Sequence, residues 1–303
     1  FTVEENSFTE GEHKIAWYEN PTNLNFGDTT DLRPVDFLDL PAEDLLYRVE
    51  TTQAGYLTVQ VDGASSVILE FYDADGNLLE SLSDGFGQLR LDHMSGGAGE
   101  VYFIKLTGTN TSARLRVCNL VDHTGTTVTV SGTSEDDHYQ LQPDTDYLVT
   151  VNGIAYQFTA AEMTDVNFNG EGGDDTYELA LVGVTMAVND SAGTDTLDFS
   201  GATQGITVNL ANEAGQVQEI APGNTLTVTG TIENCIGSEY DDIITGNAAA
   251  NRLEGRGGDD NLRGKRGDDV LLGEAGEDKL RGGKDDDLLR GGDDDDVLRG
   301  HRG

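Results

Sequence analysis

Basic residues are scarce in this chain of 303 residues. It carries 18 Lys and Arg against 56 Asp and Glu, which gives a formal net charge of -38 and a pI of about 4.1. Such a surface repels phosphate backbones and anionic lipids, so we expect neither nucleic acid nor acidic membranes as partners. It also favours solubility in salt, which fits a protein secreted into a saline medium.

Cysteines and long apolar runs are scarce as well. Cys118 and Cys235 are the two cysteines, and two interpretations stay open, a disulfide or two buried free thiols, of which we favour the thiols. No apolar stretch is long enough to span a bilayer, and neither a signal peptide nor an initiator Met is present. We therefore expect a piece of a longer polypeptide, without a transmembrane segment.

Catalytic signatures are missing too. The sequence contains no HExxH, no GxSxG, no P-loop and no GxGxxG before a helix, and its five histidines are scattered. A Ser-His-Asp set assembled in space stays open. Residues 1–236 hold only seven Lys and Arg, too few for a groove that binds uronate carboxylates. We expect no enzyme within this chain.

What the sequence does contain is a repeat of nine residues from Gly237 to the end. Every unit begins with glycine, carries Asp or Asn at the sixth place, and carries Ile or Leu at the eighth. The leading glycines are Gly237, Gly246, Gly255, Gly264, Gly273, Gly282, Gly291 and Gly300. The eighth-place residues are Ile244, Leu253, Leu262, Leu271, Leu280, Leu289 and Leu298. A fixed period of this kind indicates a solenoid.

Position within the unit predicts local structure. Glycine at the first and often the fourth place permits the positive φ of a tight turn, and the last three residues form a short strand with the apolar residue inward. One unit is half a coil, so residues 18 apart stack roughly 4.8 Å above one another. Asp285 and Asp294 replace the fourth-place glycine, and Asp tolerates the left-handed region better than most residues.

The sixth place predicts two columns of metal ligands, one on each edge of the solenoid. One column is Asp242, Asp260, Asp278 and Asp296, and the other is Asn251, Asp269 and Asp287. Stacked carboxylates repel unless a cation lies between them, and carboxylates with turn carbonyls suit calcium. No His or Cys occupies these places, which disfavours zinc and copper. We expect about five calcium sites, with a weak or missing site at Asn251.

These units resemble the hemolysin-type nonapeptide GGxGxDxUx of the RTX proteins over residues 237–303. The resemblance implies a parallel β-roll that holds calcium between successive turns.

Short strands separated by turn signals predict a β-sandwich over residues 41–122, after lead-in strands and a linker in residues 1–40. The segments LLYRVETTQAGYLTV, VILEFYDADGNLL and GAGEVYFIKLTGTNTSARLRV resemble the bacterial pre-peptidase C-terminal domain. This resemblance implies a small jelly-roll-like module, an accessory part of secreted hydrolases and exoproteins. Asp73, Asp75 and Asn77 alternate as in a calcium loop, but a hairpin turn at Asp75-Gly76 explains them as well, and we favour the turn.

Residues 125–236 predict an irregular parallel β-solenoid that templates the roll. Three isolated matches to the nonapeptide place Asp137, Asp175 and Asp195 at the sixth position. These residues either bind calcium or serve as ordinary polar turn residues. The dipeptide Asn152-Gly153 predicts a type I′ hairpin between two of the matches.

The sequence thus predicts an all-β chain, an N-terminal jelly-roll-like sandwich followed by a parallel solenoid that ends in a calcium-binding roll. We expect a secreted structural or adhesive module that folds on calcium binding. Its solenoid ends favour self-association into filaments or a surface layer. The alternative is the C-terminal accessory region of a secreted hydrolase such as a peptidase. We expect Asp260→Ala or Asp278→Ala to disturb neighbouring sites, and Asn251→Ala to change little.

Overall fold

A computed structural model describes residues 22–23, 38–39, 45–51, 54–62, 67–83, 88–108, 113–211 and 215–300. The strands expected in residues 1–20 lie outside this set. Contacts divide the chain into two units, Phe1–Asp122 and His123–Gly303. The fold is all-β, and the described residues include no helix that is long and apolar enough to cross a membrane.

The first unit is a β-sandwich. Its strands are β1 Thr22–Asn23, β2 Leu38–Asp39, β3 Leu45–Glu50, β4 Gly55–Asp62, β5 Ile68–Tyr72, β6 Leu78–Ser83, β7 Gln88–Ser95, β8 Val101–Thr107 and β9 Arg114–Thr124. One sheet has the order β1-β3-β8-β5-β6, and the second joins β2, β9, β4 and β7. Val49, Phe71 and Ile104 of the first sheet share one core with Val59 and Leu115 of the second. Alternating apolar residues thus face inward from both sheets.

The Asp73 segment forms a closed hairpin turn. Oδ1 of Asp73 accepts the backbone N–H groups of Asp75 (3.0 Å) and Asn77 (2.8 Å), and Oδ2 accepts the Asn77 side-chain amide (2.8 Å). Gly76 has a φ of 80°. Because both carboxylate oxygens are already hydrogen-bonded, the geometry matches the turn that the sequence favoured.

The second unit is a parallel β-solenoid. Its strands are β10 Thr127–Ser131, β11 His138–Pro143, β12 Tyr147–Val151, β13 Ile154–Phe158, β14 Asp165–Asn169, β15 Thr176–Leu179, β16 Thr185–Asn189, β17 Thr196–Asp198, β18 Thr207–Asn209, β19 Val217–Ala221, β20 Asn224–Thr229, β21 Asn234–Ile236, β22 Ile243–Thr245, β23 Arg252–Gly257, β24 Asn261–Lys265, β25 Val270–Ala275, β26 Lys279–Gly283, β27 Leu288–Asp293 and β28 Val297–Arg299. Parallel pairs link β10, β14, β16 and β20. A second parallel sheet runs from β11 through β15, β17, β21, β23 and β25 to β27, and a third from β18 through β22, β24 and β26 to β28.

Coil length shortens along the solenoid. Tyr177 pairs with Leu197, 20 residues later, whereas Leu253 pairs with Leu271 at the shorter spacing of 18. The first coil is longer because the β12–β13 hairpin is inserted into it. That hairpin turns at Asn152 and Gly153, with φ values of 50° and 75°, as its type I′ sequence predicts.

One inward column of side chains forms the core of the second sheet. Its members, all fully buried, are Tyr139, Tyr177, Leu197, Cys235, Leu253 and Leu271. The Tyr139 and Tyr177 rings stack with centroids 4.8 Å apart, and Cys235 occupies an apolar place, where burial raises the pKa of its thiol. Cys118 and Cys235 are both buried, and neither forms a disulfide.

Candidate metal centre

The sixth-place aspartates of the odd-numbered repeats stack along one edge of the roll. The Asp242 N–H donates to Oδ1 of Asp260 (2.8 Å), and the Asp260 N–H donates to Oδ1 of Asp278 (2.9 Å). The Asp278 N–H donates in turn to Oδ1 of Asp296 (3.1 Å). Each carboxylate is therefore held by the coil before it, and the column has the spacing that the period of 18 predicts.

The even-numbered repeats build the same column on the other edge. The Asn251 N–H donates to Oδ1 of Asp269 (2.9 Å), and the Asp269 N–H donates to Oδ1 of Asp287 (3.2 Å). The Asn251 side-chain amide donates to the Glu233 carbonyl oxygen (2.9 Å). Asn251 thus joins this column to the irregular coils before it.

The second column continues upstream of the repeats. The Asp137 N–H donates to Oδ1 of Asp175 (2.7 Å), the Asp175 N–H to Oδ1 of Asp195 (3.0 Å), and the Asp195 N–H to Oε2 of Glu233 (3.0 Å). The structure brings the three predicted aspartates into one line. Sequence reasoning missed Glu233, although it stands 18 residues before Asn251 and therefore had a detectable signal.

Leading glycines make room for these carboxylates. A Cβ at Gly255 would overlap Oδ2 of Asp260, and a Cβ at Gly264 would overlap Oδ2 of Asp269. The roll's leading glycines have no positive φ, so the prediction of a left-handed first place is wrong. Their role is steric, since any side chain would occupy the space that the carboxylate fills.

The left-handed residues are at the second and fourth places. At the second place these are Arg256, Lys265, Glu274, Gly283 and Gly292, and at the fourth they are Gly258, Gly267, Gly276, Asp285 and Asp294. Asp285 and Asp294 have φ values of 76° and 73°, which confirms that Asp accepts this backbone here. We call the five turns with both left-handed places open turns.

Open turns leave one carboxylate oxygen without a partner. The Oδ2 atoms of Asp260, Asp269, Asp278 and Asp287 are buried and accept no hydrogen bond from the described residues. A buried anionic oxygen without a partner is costly, and a bound cation removes that cost. Carboxylate oxygens together with turn carbonyls fit calcium, which takes roughly six to eight oxygen ligands.

Three other turns satisfy their sixth-place side chain internally, and we call these closed turns. The Ser238 N–H donates to Oδ2 of Asp242 (2.5 Å), and the Thr133 N–H donates to Oδ2 of Asp137 (2.6 Å). In the third, the Asn247 N–H donates to Oδ1 of Asn251 (2.8 Å). Because the second-place N–H fills the oxygen, a closed turn has no unsatisfied atom that calls for an ion.

Asp190 adds a third carboxylate beside the upstream column. It stands where a leading glycine would be, and one oxygen each of Asp175, Asp190 and Asp195 lies within 4.8 Å of the others. The Tyr177 hydroxyl donates to Oδ2 of Asp190 (2.6 Å). This buried trio could hold a cation, and the sequence analysis did not select Asp190.

Burial and neighbouring charges raise the pKa of the column carboxyls. Burial, with the charges of Asp242 and Asp278, raises the pKa of Asp260 to about 8. Burial, with the charge of Asp287, raises the pKa of Asp269 to about 6. The same causes raise the pKa of Asp175 to about 8. The metal-free columns thus resist ionisation near neutral pH.

Comparison with known proteins agrees with this geometry. The family described as the RTX calcium-binding nonapeptide repeat (4 copies) matches residues 236–271 and 272–303. Residues 236–303 are RTX calcium-binding repeats. Calcium is therefore the ion of the roll, as the sequence analysis predicted. The likeness of the front sandwich to a pre-peptidase C-terminal domain stays a prediction.

Three curated relatives share part of the chain. The metallopeptidase AprA of Pseudomonas marginalis is 37% identical over 99 residues, 32% of this chain and 21% of that protein. The serralysin of Photorhabdus laumondii is 43% identical over 66 residues, 22% of this chain and 14% of that protein. The metalloprotease AprA of Pseudomonas entomophila is 31% identical over 122 residues, 39% of this chain and 25% of that protein. The matches thus cover at most a quarter of each relative.

Replacing Asp260 by Asn tests the open turn. Asn keeps an Oδ1 acceptor for the Asp242 N–H but removes the buried charge and the unpartnered oxygen. We expect the calcium-free protein at about pH 8 to gain about 1 kcal/mol of stability, while the rise in melting temperature on adding calcium becomes smaller. Calorimetry with and without calcium measures both effects.

Glu277→Gln is the matched control, since Glu277 is exposed and its carboxylate has no hydrogen-bond partner among the described residues. It should leave both quantities unchanged. An equal calcium response in Asp260→Asn and the parent protein would contradict the assignment. The earlier expectation for Asn251→Ala also changes, because Asn251 is buried and bridges two coils, so the variant should lose stability with or without calcium.

The pKa shifts predict an inverted pH dependence in the metal-free protein. A carboxyl whose pKa rises on folding, from 3.8 to about 8 for Asp260, stabilises the fold below about pH 4, and this stability is lost as pH rises to about 8. Urea unfolding of protein stripped of calcium should therefore give a lower midpoint at about pH 8 than at about pH 5. A higher midpoint at pH 8 would argue against the buried columns.

Proposed function

We propose that this chain is a secreted, non-enzymatic structural module whose roll folds when calcium binds outside the cell. The observation that carries the proposal is the set of buried, unpartnered Oδ2 atoms on Asp260, Asp269, Asp278 and Asp287. They occur in both columns and only in open turns. No catalytic motif in the sequence competes with this role.

The proposed mechanism couples ion binding to folding. Without calcium, each new coil would bring one more carboxylate against the column, where burial and repulsion oppose its charge. With calcium, two successive turns share an ion, and the binding energy becomes folding energy. At the low calcium level inside a cell the roll would stay unfolded, and at extracellular levels it would fold.

The closed turns give this folding a direction. Asp137, Asp242 and Asn251 have their carboxylate or amide oxygens filled by the chain itself. The coils that contain them form without an ion and offer paired strand edges for the next coil. We infer that residues 123–254 act as a preformed template on which the open turns add in order.

The runner-up function is an accessory region of a secreted hydrolase. The curated relatives named as metallopeptidases favour it, since the shared part includes the repeats. This chain lacks an HExxH motif, so peptidase activity would need a catalytic domain elsewhere in the same polypeptide. Such a domain in the full-length sequence would favour the runner-up without changing the calcium chemistry.

Hydrogen exchange of the whole chain tests the coupled folding. We expect backbone amides of residues 255–299 to exchange rapidly in chelator and to become protected by at least about tenfold in roughly 1 mM calcium. Amides of the Leu197 and Cys235 strands should be protected in both conditions and serve as the internal control. Protection of residues 255–299 in chelator would defeat the mechanism.

Self-association is a separate proposal on the same module. Leu288, Val297 and Leu298 are 47%, 45% and 47% exposed on the last described coil, and an apolar strand edge favours pairing with another copy. Sedimentation velocity in calcium should show concentration-dependent assembly, which Leu298→Ser weakens. A monomer at every calcium level would exclude it.

A further inference from the structure

The third sheet of the solenoid carries a column of arginines on its outer face. In this sheet β24, β26 and β28 pair in parallel, and their register aligns Arg263 with Arg281 and Arg281 with Arg299. Lys279 lies on β26, two residues before Arg281, and points to the same face because side chains alternate along a strand. We call Arg263, Lys279, Arg281 and Arg299 the basic strip.

All four strip residues are exposed, and none makes an ion pair with another described residue. Arg263 donates through Nε to the Asn261 side chain (3.4 Å), a neutral partner. Two other arginines of the roll behave differently, because Arg252 pairs with Glu254 and Arg256 pairs with Glu239. The basic strip is therefore free positive charge on a chain whose net charge is -38.

The arrangement is unfavourable unless an anion covers it. Like charges on neighbouring strands destabilise a sheet, and the parallel register places the guanidinium groups only about 4.8 Å apart per strand. Guanidinium groups bind sulfate and carboxylate groups through paired hydrogen bonds. A linear polymer with repeated anionic groups, laid across the strands, would meet the strip at each step.

The remaining outward residues distinguish two classes of polymer. The outward places of β18, β22, β24, β26 and β28 are Thr207, Asn209, Ile243, Thr245, Asn261, Val297 and the strip itself. None is aromatic, whereas sites for single-stranded nucleic acid use aromatic side chains to stack bases. Amide and hydroxyl groups beside the charges suit hydroxyl-rich sugars.

We propose that the basic strip binds a linear acidic polysaccharide on the calcium-loaded protein. The inference rests on the calcium-dependent folding proposed above, because the strip exists only when β24, β26 and β28 are in register. Calcium contributes a second effect, since its charge offsets the turn aspartates on both edges of the strip. Acid on the rest of the chain is screened beyond a Debye length of about 8 Å at physiological salt.

The test compares two double variants of the whole chain in about 1 mM calcium. Arg263→Gln/Arg281→Gln removes two strip charges, and Arg266→Gln/Arg290→Gln removes two exposed charges that lie outside the strip. The probe is dextran sulfate at about 50 mM salt, and affinity is measured by titration calorimetry. We expect the strip variant to lose at least about tenfold in affinity with a shallower salt dependence, and the control to lose less than about twofold.

Circular dichroism of each variant, with and without calcium, separates the two proposals. Calcium-dependent folding without dextran sulfate binding would overturn the strip and leave the proposed function intact, whereas failure to respond to calcium would overturn the proposed function. Equal losses in the two double variants would show a diffuse charge effect and reject the strip. Tighter binding of a single-stranded oligonucleotide, lost in the strip variant, would reject the polysaccharide class.

Discussion

A buried carboxylate beside a glycine is the constraint on which the roll depends. The sixth-place aspartate fills the space where a leading side chain would be, accepts the N–H of the previous coil, and keeps one oxygen unpaired in each of four open turns. Glycine, coil spacing and ion are therefore one requirement. The apolar column supplies the core, but it does not explain why the turns need carboxylates at all.

The second-place residue decides how each turn meets this requirement. With a left-handed second place, as at Arg256 or Lys265, the N–H leaves the carboxylate and the oxygen stays open. With Ser238 or Thr133 there, the N–H points at the carboxylate and closes the turn. Stability without an ion and stability with one are thus distributed along the same solenoid, from closed coils to open coils.

Much of this was readable in the sequence, and the reasons are physical. The period of nine fixes stacking at 18, so the two columns and the inward leucines followed directly, and Asn152-Gly153 named its turn. What failed depended on backbone detail. Glycine at the first place suggested positive φ, but the structure uses it for space, and residues with side chains such as Arg256 and Glu274 take the left-handed place. Asp190 and Glu233 lie where the units are irregular, so no period pointed to them.

Because one unit is only half a coil, the number of repeats has a parity. Gain or loss of 18 residues adds or removes a whole coil and leaves every column on its own side. Gain or loss of nine would exchange the two sheets beyond that point, so the arginines of β26 and β28 would continue the column of Glu254 and Leu272. Lineages that keep the arginine face intact should therefore change length in pairs of repeats, which makes repeat parity a trace of selection on that face.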